Sequence, residues 1–278
     1  MGKGQVLSLL AALGGAGDAE LLAAARGVAA AAGWPLRVVH VRETGERSRS
    51  AAARPSRAVA PSLGALDLTD VEVLEAAGAP ADEVARLSSA GTAAVAFGAR
   101  ATAGPGMGRT ALALLGSLDV PMLVVRPGMR AVDRLRRLVV PLEGSPSASA
   151  AMQHADDAFC ARGREIVMLH VVTSDSPLEA GSLPAPRIVD QEHYEWAAWQ
   201  EEFTMRFSQC VEGGRHRVCV RVGDPATAIL RETRALDAEL IVISWRGSMA
   251  KDRAPVVRAL LERSPCPVYL VPAGVEGP

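Results

Sequence analysis

The sequence predicts an α/β fold: two tandem five-stranded, doubly wound parallel-sheet domains of Rossmann-like form, packed as an intramolecular pseudo-dimer. Two observations predict it. The first is an internal repeat. Twenty-six positions separate Gly14 from His40 and again Gly144 from His170, each Gly after an apolar run and each His inside a β-branched one. Gly78-Ala79-Pro80 recurs as Gly223-Asp224-Pro225, and Val120-Pro121-Met122-Leu123-Val124-Val125 recurs as Cys266-Pro267-Val268-Tyr269-Leu270-Val271. Chance does not hold order and spacing over four landmarks, so one unit is present twice. The second observation is that short β-branched runs alternate with helical patterns, the mark of a parallel sheet covered by helices. The 278 residues then divide into units at 1–130 and 131–278, each large enough to bury a core.

Taken in order, the first copy offers strands at Val6–Leu10, Leu36–Val41, Val71–Leu74, Ala93–Phe97 and Met122–Val125. The second offers Arg137–Leu142, Ile166–Val172, Arg217–Val222, Leu240–Ser244 and Val268–Val271. Residues 18–32 carry Leu21, Leu22, Ala25, Val28 and Ala29 on one helical face. Asp224 before Pro225 reads as an N-cap followed by the first helical residue, and Pro255 is placed in the same way. The turn-rich basic stretch from Arg126 to Arg136 reads as the linker, and Thr44–Pro61 as a loop. In a helix from about 191 to 210, Trp196, Trp199, Phe203 and Phe207 form one apolar stripe for packing on the sheet or for a contact between domains or subunits. The last strand of each copy is apolar, which as an open edge invites aggregation, so both are expected at a shared seam between two separate sheets.

Composition excludes some classes of function. Thirty basic and 31 acidic residues leave a net charge of −1, which argues against nucleic acid or an anionic membrane as partner. No run reaches the ~20 apolar residues of a membrane span. Cys160, Cys210, Cys219 and Cys266 show no ligand spacing, so reduced thiols in a cytoplasm are expected, with Cys219 and Cys266 in the core and no metal site. His40 and His170 read as satisfied strand residues, and no catalytic triad or dyad emerges, so no catalytic residue is assigned.

Val139-Val140-Pro141-Leu142-Glu143-Gly144-Ser145, Leu169-His170-Val171-Val172, Val220 to Pro225, Leu240 to Ile243 and Ser264 to Val268 together resemble the universal stress protein family. The first copy is similar at Gly14, Val38–Val41, Gly78–Pro80 and Val120–Val125. The resemblance implies a tandem member in which two domains on one chain replace a homodimer and pair through their last strands. It also implies where a nucleotide would lie. Nucleotide-binding members carry an Asp after the first strand and a glycine-rich phosphate loop after the fourth, where backbone N–H groups and a helix N-terminus receive phosphate.

This chain departs from that pattern in both copies. Leu13 stands at the Asp position in the first and Glu143 in the second. Both fourth-strand loops are three residues shorter than the ATP-binding form. The residues implied for a nucleotide or anion are Gly98, Gly106, Gly108, Arg109 and Thr110 in the first copy, and Glu143, Gly144, Ser145, Gly247 and Ser248 in the second. Arg109 beside three glycines favours a simple anion in the first copy, and Glu143 favours a ribose in the second. The leading function is a non-enzymatic stress-response or regulatory protein acting by ligand sensing or contact with a protein partner. The alternatives are an adenine-nucleotide (ATP) binder with one surviving site, with or without slow hydrolysis, and a scaffold for protein contacts. No cofactor is assigned beyond that adenine nucleotide.

Overall fold

The computed structural model describes residues 7–14, 18–42, 60–66, 68, 71–88, 91–99, 107–130, 132, 134–143, 146–161, 163–172, 215–249 and 254–273. The first half runs β1 (Ser8–Leu13), α1 (Asp18–Ala32), β2 (Leu36–Arg42), α2 (Ala60–Ala65), β3 (Glu72–Ala77), α3 (Pro80–Leu87), β4 (Thr92–Gly98), α4 (Arg109–Ser117) and β5 (Met122–Val125). The second runs β6 (Arg137–Leu142), α5 (Pro146–Phe159), β7 (Glu165–Val172), β8 (Arg215–Val222), α6 (Pro225–Ala235), β9 (Leu240–Trp245), α7 (Pro255–Arg263) and β10 (Val268–Pro272). All ten expected strands form. The first is displaced, starting at Ser8 instead of Val6 and continuing to Leu13. The end of the loop expected at Thr44–Pro61 overlaps α2, which begins at Ala60. The Trp196 to Phe207 stripe lies outside the described residues.

Within each half every strand pairing is parallel, in the order β3-β2-β1-β4-β5 and β8-β7-β6-β9-β10. The expectation of two separate sheets is corrected: β5 and β10 pair antiparallel and join the halves into one ten-stranded sheet. The physical reason is the one that placed these strands at the seam. Each half ends on an apolar edge with unpaired N–H and C=O groups, and two such edges satisfy one another. Val268 faces Val124, Tyr269 faces Leu123 and Leu270 faces Met122. Leu123 and Tyr269 are repeat equivalents, and their neighbours exchange places across them, as at a two-fold axis.

Two buried clusters line the two faces of the sheet, and each spans both halves. One gathers α1 and α5 with alternate strand residues such as Leu123, Val125, Tyr269 and Val271. The other gathers α3, α4, α6 and α7 with Met122, Val124, Val268 and Leu270. At the seam Tyr269 stacks on His154, whose Nε2 lies 3.0 Å from the phenol oxygen, and Trp34 and Phe159 close the group. Burial lowers the His154 pKa to about 4, so the ring is neutral. The Arg164 guanidinium donates to the carbonyls of Ala31 (2.6 Å) and Phe159 (3.2 Å), tying the last turns of α1 and α5 together across the halves.

The segment from Arg126 to Arg136 is more firmly held than a solvated linker. Met129, Val132 and Leu135 are buried. The Arg130 N–H donates to the Pro265 carbonyl at 2.9 Å, and Arg126 Nη2 donates to the Ser264 carbonyl at 3.0 Å. Sequence periodicity is too short here to show that every third residue faces the core.

Candidate ligand-binding site

In a doubly wound sheet the chain leaves the first strand toward one side and later returns on the other, which opens a crevice at the carboxyl ends of the two central strands. In the second half those strands are β6 and β9, which pair only through Leu138–Leu240 and Val139–Ile241. Beyond this pairing lies a cavity of about 340 Å³. Its walls come from the ends of β6 and β9, from Leu169 and Val171 of β7, from Pro225 and Ile229 in the first two turns of α6, and from the first turn of α7, including Val257. The walls are mainly apolar, and the polar groups Glu143, Ser244, Arg246 and Ser248 line it as well. A volume in the range of small-molecule sites, with few polar groups on apolar walls, is the usual form of such a site.

Glu143 follows the last residue of β6, and Arg246 follows the last residue of β9. Arg246 Nη2 donates to Glu143 Oε1 at 3.0 Å, with both side chains more than half exposed. One wall is fixed from behind by the other half of the chain. Trp245 is 2 % exposed, and its indole N–H donates to the Leu115 carbonyl of α4 at 3.0 Å. Leu142, which lines the cavity, is held in turn by His170, whose Nδ1 lies 2.9 Å from the Leu142 carbonyl. That bond bears out the expectation of a satisfied strand histidine. His40 departs from it, because its Nδ1 is buried with no hydrogen-bond partner among the described residues. Asp224 accepts from the Thr227 N–H at 2.8 Å, which caps α6 beside the cavity, and hydrogen bonds from the Thr227 side chain and then its N–H hold the Asp224 pKa down. Gly223 before it has a φ of +128°, a conformation that side chains rarely adopt, and the repeat equivalent Gly78 has +154°. These two glycines and the two prolines after them explain why that landmark repeats.

The universal stress protein family model matches residues 134–272, which is half of the chain. The chain belongs to the universal stress protein family. A universal stress protein from Archaeoglobus fulgidus DSM 4304 aligns with 97% of this chain and 100% of its own, at 18% identity and a TM-score of 0.65. A putative universal stress protein from Pseudomonas aeruginosa UCBPP-PA14 aligns over 96% and 94%, at 13% identity and a TM-score of 0.55. At these identities the likeness is one of fold, and it extends over both halves of the chain. No curated protein matches the sequence.

Of the residues that the universal stress protein resemblance singled out, the structure brings Glu143 and Ser248 to the cavity, with Gly247 between Arg246 and Ser248 at a φ of +75°. Gly144 and Ser145 lie outside the described residues. In the first half Gly98 ends β4, and Gly108 precedes α4 without a side-chain cap. Arg109 and Thr110 are exposed on the first turn of α4, Leu13 is buried at the end of β1, and Gly106 lies outside the described residues. Sequence reasoning placed Arg246 with Glu143 in the same half but missed that the two pair, and it missed Trp245 as a cavity wall. The positions directly after β9 were the available signal.

The thiols divide. Cys219 and Cys266 are free and buried, as expected, and burial raises both, Cys266 to about 11. The expectation of reduced thiols fails at Cys160, which is disulfide-bonded. Among the described residues no helix is long and apolar enough to cross a membrane.

Proposed function

We propose that the second half holds a small ligand of the nucleoside type in the crevice between β6 and β9, and that the protein is a regulatory binder that does not turn the ligand over. The cavity carries this reading. Its apolar walls suit a flat base, Glu143 suits the hydroxyls of a sugar, and Arg246 and Ser248 suit a phosphate. Two features favour weak binding. The ligand must compete with Arg246 for Glu143, and α7 begins at Pro255, which lacks an N–H for a phosphate oxygen. Each charged hydrogen bond lost costs about 1.5–3 kcal/mol, tenfold or more in affinity. ATP and AMP are therefore expected to bind in the micromolar range or more weakly.

The test is calorimetric titration of both nucleotides into the wild type and Glu143→Ala, together with intact mass spectrometry of protein purified without added nucleotide. A loss of about tenfold in Glu143→Ala supports the reading. A sub-micromolar ATP constant refutes the expectation of weak binding, and the absence of binding heat and of retained ligand refutes the site.

A further inference from the structure

The other end of the same sheet carries a second group of chemistry. Asp156 and Cys160 stand one helical turn apart, on the last turn of α5 and just beyond it, and His216 comes from the second residue of β8. The carboxylate oxygen, the sulfur and a ring nitrogen all lie within 4.8 Å of one another. The His216 Nε2–H donates to Asp156 Oδ1 at 2.7 Å, with the two side chains only 9 % and 2 % exposed. The Cys160 sulfur is tied in a disulfide, whose partner is neither of the free cysteines Cys219 and Cys266.

We propose that Asp156, Cys160 and His216 form a redox-gated site for a Zn²⁺-class divalent ion, shut while Cys160 is in its disulfide and opened by reduction. One oxygen, one nitrogen and one sulfur donor suit a borderline ion, whereas Ca²⁺ and Mg²⁺ take oxygen alone. Bonds of about 2.0–2.3 Å place tetrahedral donors roughly 3.3–3.8 Å apart. The present cluster, bounded at 4.8 Å, reaches that spacing if the Asp156–His216 pair at 2.7 Å opens to admit the ion and the released sulfur closes on it. A disulfide sulfur is a poor ligand and a thiolate a strong one, so the bond is the gate. A dithiol reductant supplies two electrons and two protons, the S–S bond breaks, and two thiols form. The ion then displaces the Cys160 thiol proton to solvent and binds His216 at Nε2, whose proton leaves to solvent while the ring carries its proton on Nδ1 instead. This site shares no residue with the cavity and stands or falls apart from the nucleoside reading.

The experiment uses the full chain, stripped with a chelator and prepared either oxidised or reduced with a phosphine, and titrated with Co²⁺ and with Zn²⁺ against a chromophoric chelator. Reduced protein is expected to bind one equivalent and to show a thiolate-to-cobalt charge-transfer band. Oxidised protein is expected to show neither. Cys160→Ser should abolish the band, and His216→Gln and Asp156→Asn should each weaken binding tenfold or more, with circular dichroism reporting that the variants are folded. Reduced, folded protein without the band, or with equal affinity in Cys160→Ser or His216→Gln, overturns the proposal. If reduction unfolds the chain, recovery of the native spectrum on adding Zn²⁺ supports the site and failure to recover refutes it.

Discussion

Two Gly→Ala substitutions at helical positions should change stability in opposite directions, and the difference isolates how the chain is held at the junction of its halves. Gly27 lies in α1 and is buried, whereas Gly116 lies in α4 and is exposed. Helix propensity favours Ala over Gly by about 0.8–1.0 kcal/mol in a helix interior, which predicts a gain at both. At Gly116 a methyl group meets nothing within 4 Å, so Gly116→Ala should keep its gain, a few tenths to about 1 kcal/mol so near the helix end. At Gly27 the methyl would stand 2.8 Å from the Val132 carbonyl carbon and 3.0 Å from its Cγ1, with the carbonyl oxygen closer still. These atoms belong to the segment joining the halves, and Val132 is 1% exposed. Overpacking costs roughly 1–3 kcal/mol, and lifting Val132 off its site forfeits about 1.5–3 kcal/mol more if it is fully exposed. With Val132 lifted off, the net expectation for Gly27→Ala is a loss of about 1.5–5 kcal/mol after the propensity gain. Urea unfolding of both variants, with unchanged slope, reads the two values. If Gly27→Ala is as stable as the wild type, or if both variants gain, then the segment does not pack on α1 as described.

Trp245→Phe removes the donor to the buried Leu115 carbonyl and should cost about 1–3 kcal/mol in urea unfolding; the same variant should lose any tryptophan fluorescence change caused by filling the cavity, and a full fluorescence response in its absence would place the ligand elsewhere. The exposed Glu143–Arg246 pair contributes about 0–1 kcal/mol, so Arg246→Ala should melt near the wild type while changing nucleotide affinity, and unchanged affinity would remove Arg246 from the site. Burial lifts Cys266 from an ordinary value near 9 to about 11. Its neutral thiol therefore contributes fully below pH 9, and that contribution is lost as the pH rises from 9 through 11, by about 2–3 kcal/mol at most. Melting temperatures across this window should fall less steeply in Cys266→Ala, and equal slopes in the two proteins would contradict the burial argument.

The α/β class, the doubling of the unit and the location of all ten strands were legible in the sequence because they are local or periodic properties. A β-branched run buried on both faces, an Asp-Pro helix start and a Gly that must adopt positive φ each leave a mark at their own positions. Glu143 was legible for the same reason, since it follows the first strand of a recognisable repeat. The joining of two sheets into one was not, because an apolar last strand marks its place at the seam without saying whether the two edges pack on one another or hydrogen-bond into a single sheet. Val132 against Gly27, Trp245 against Leu115 and Arg164 across α1 and α5 are contacts between residues more than 100 positions apart, and no spacing rule reaches that far. The Asp156, Cys160 and His216 cluster makes the same point for chemistry. Two of its members share a helical period, but the third is delivered by a strand that only the parallel pairing of β7 with β8 brings alongside. Sequence alone determined which units this protein is made of, and the tertiary structure decided which distant side chains meet, because side-chain contact depends on how elements pack and not on their order along the chain.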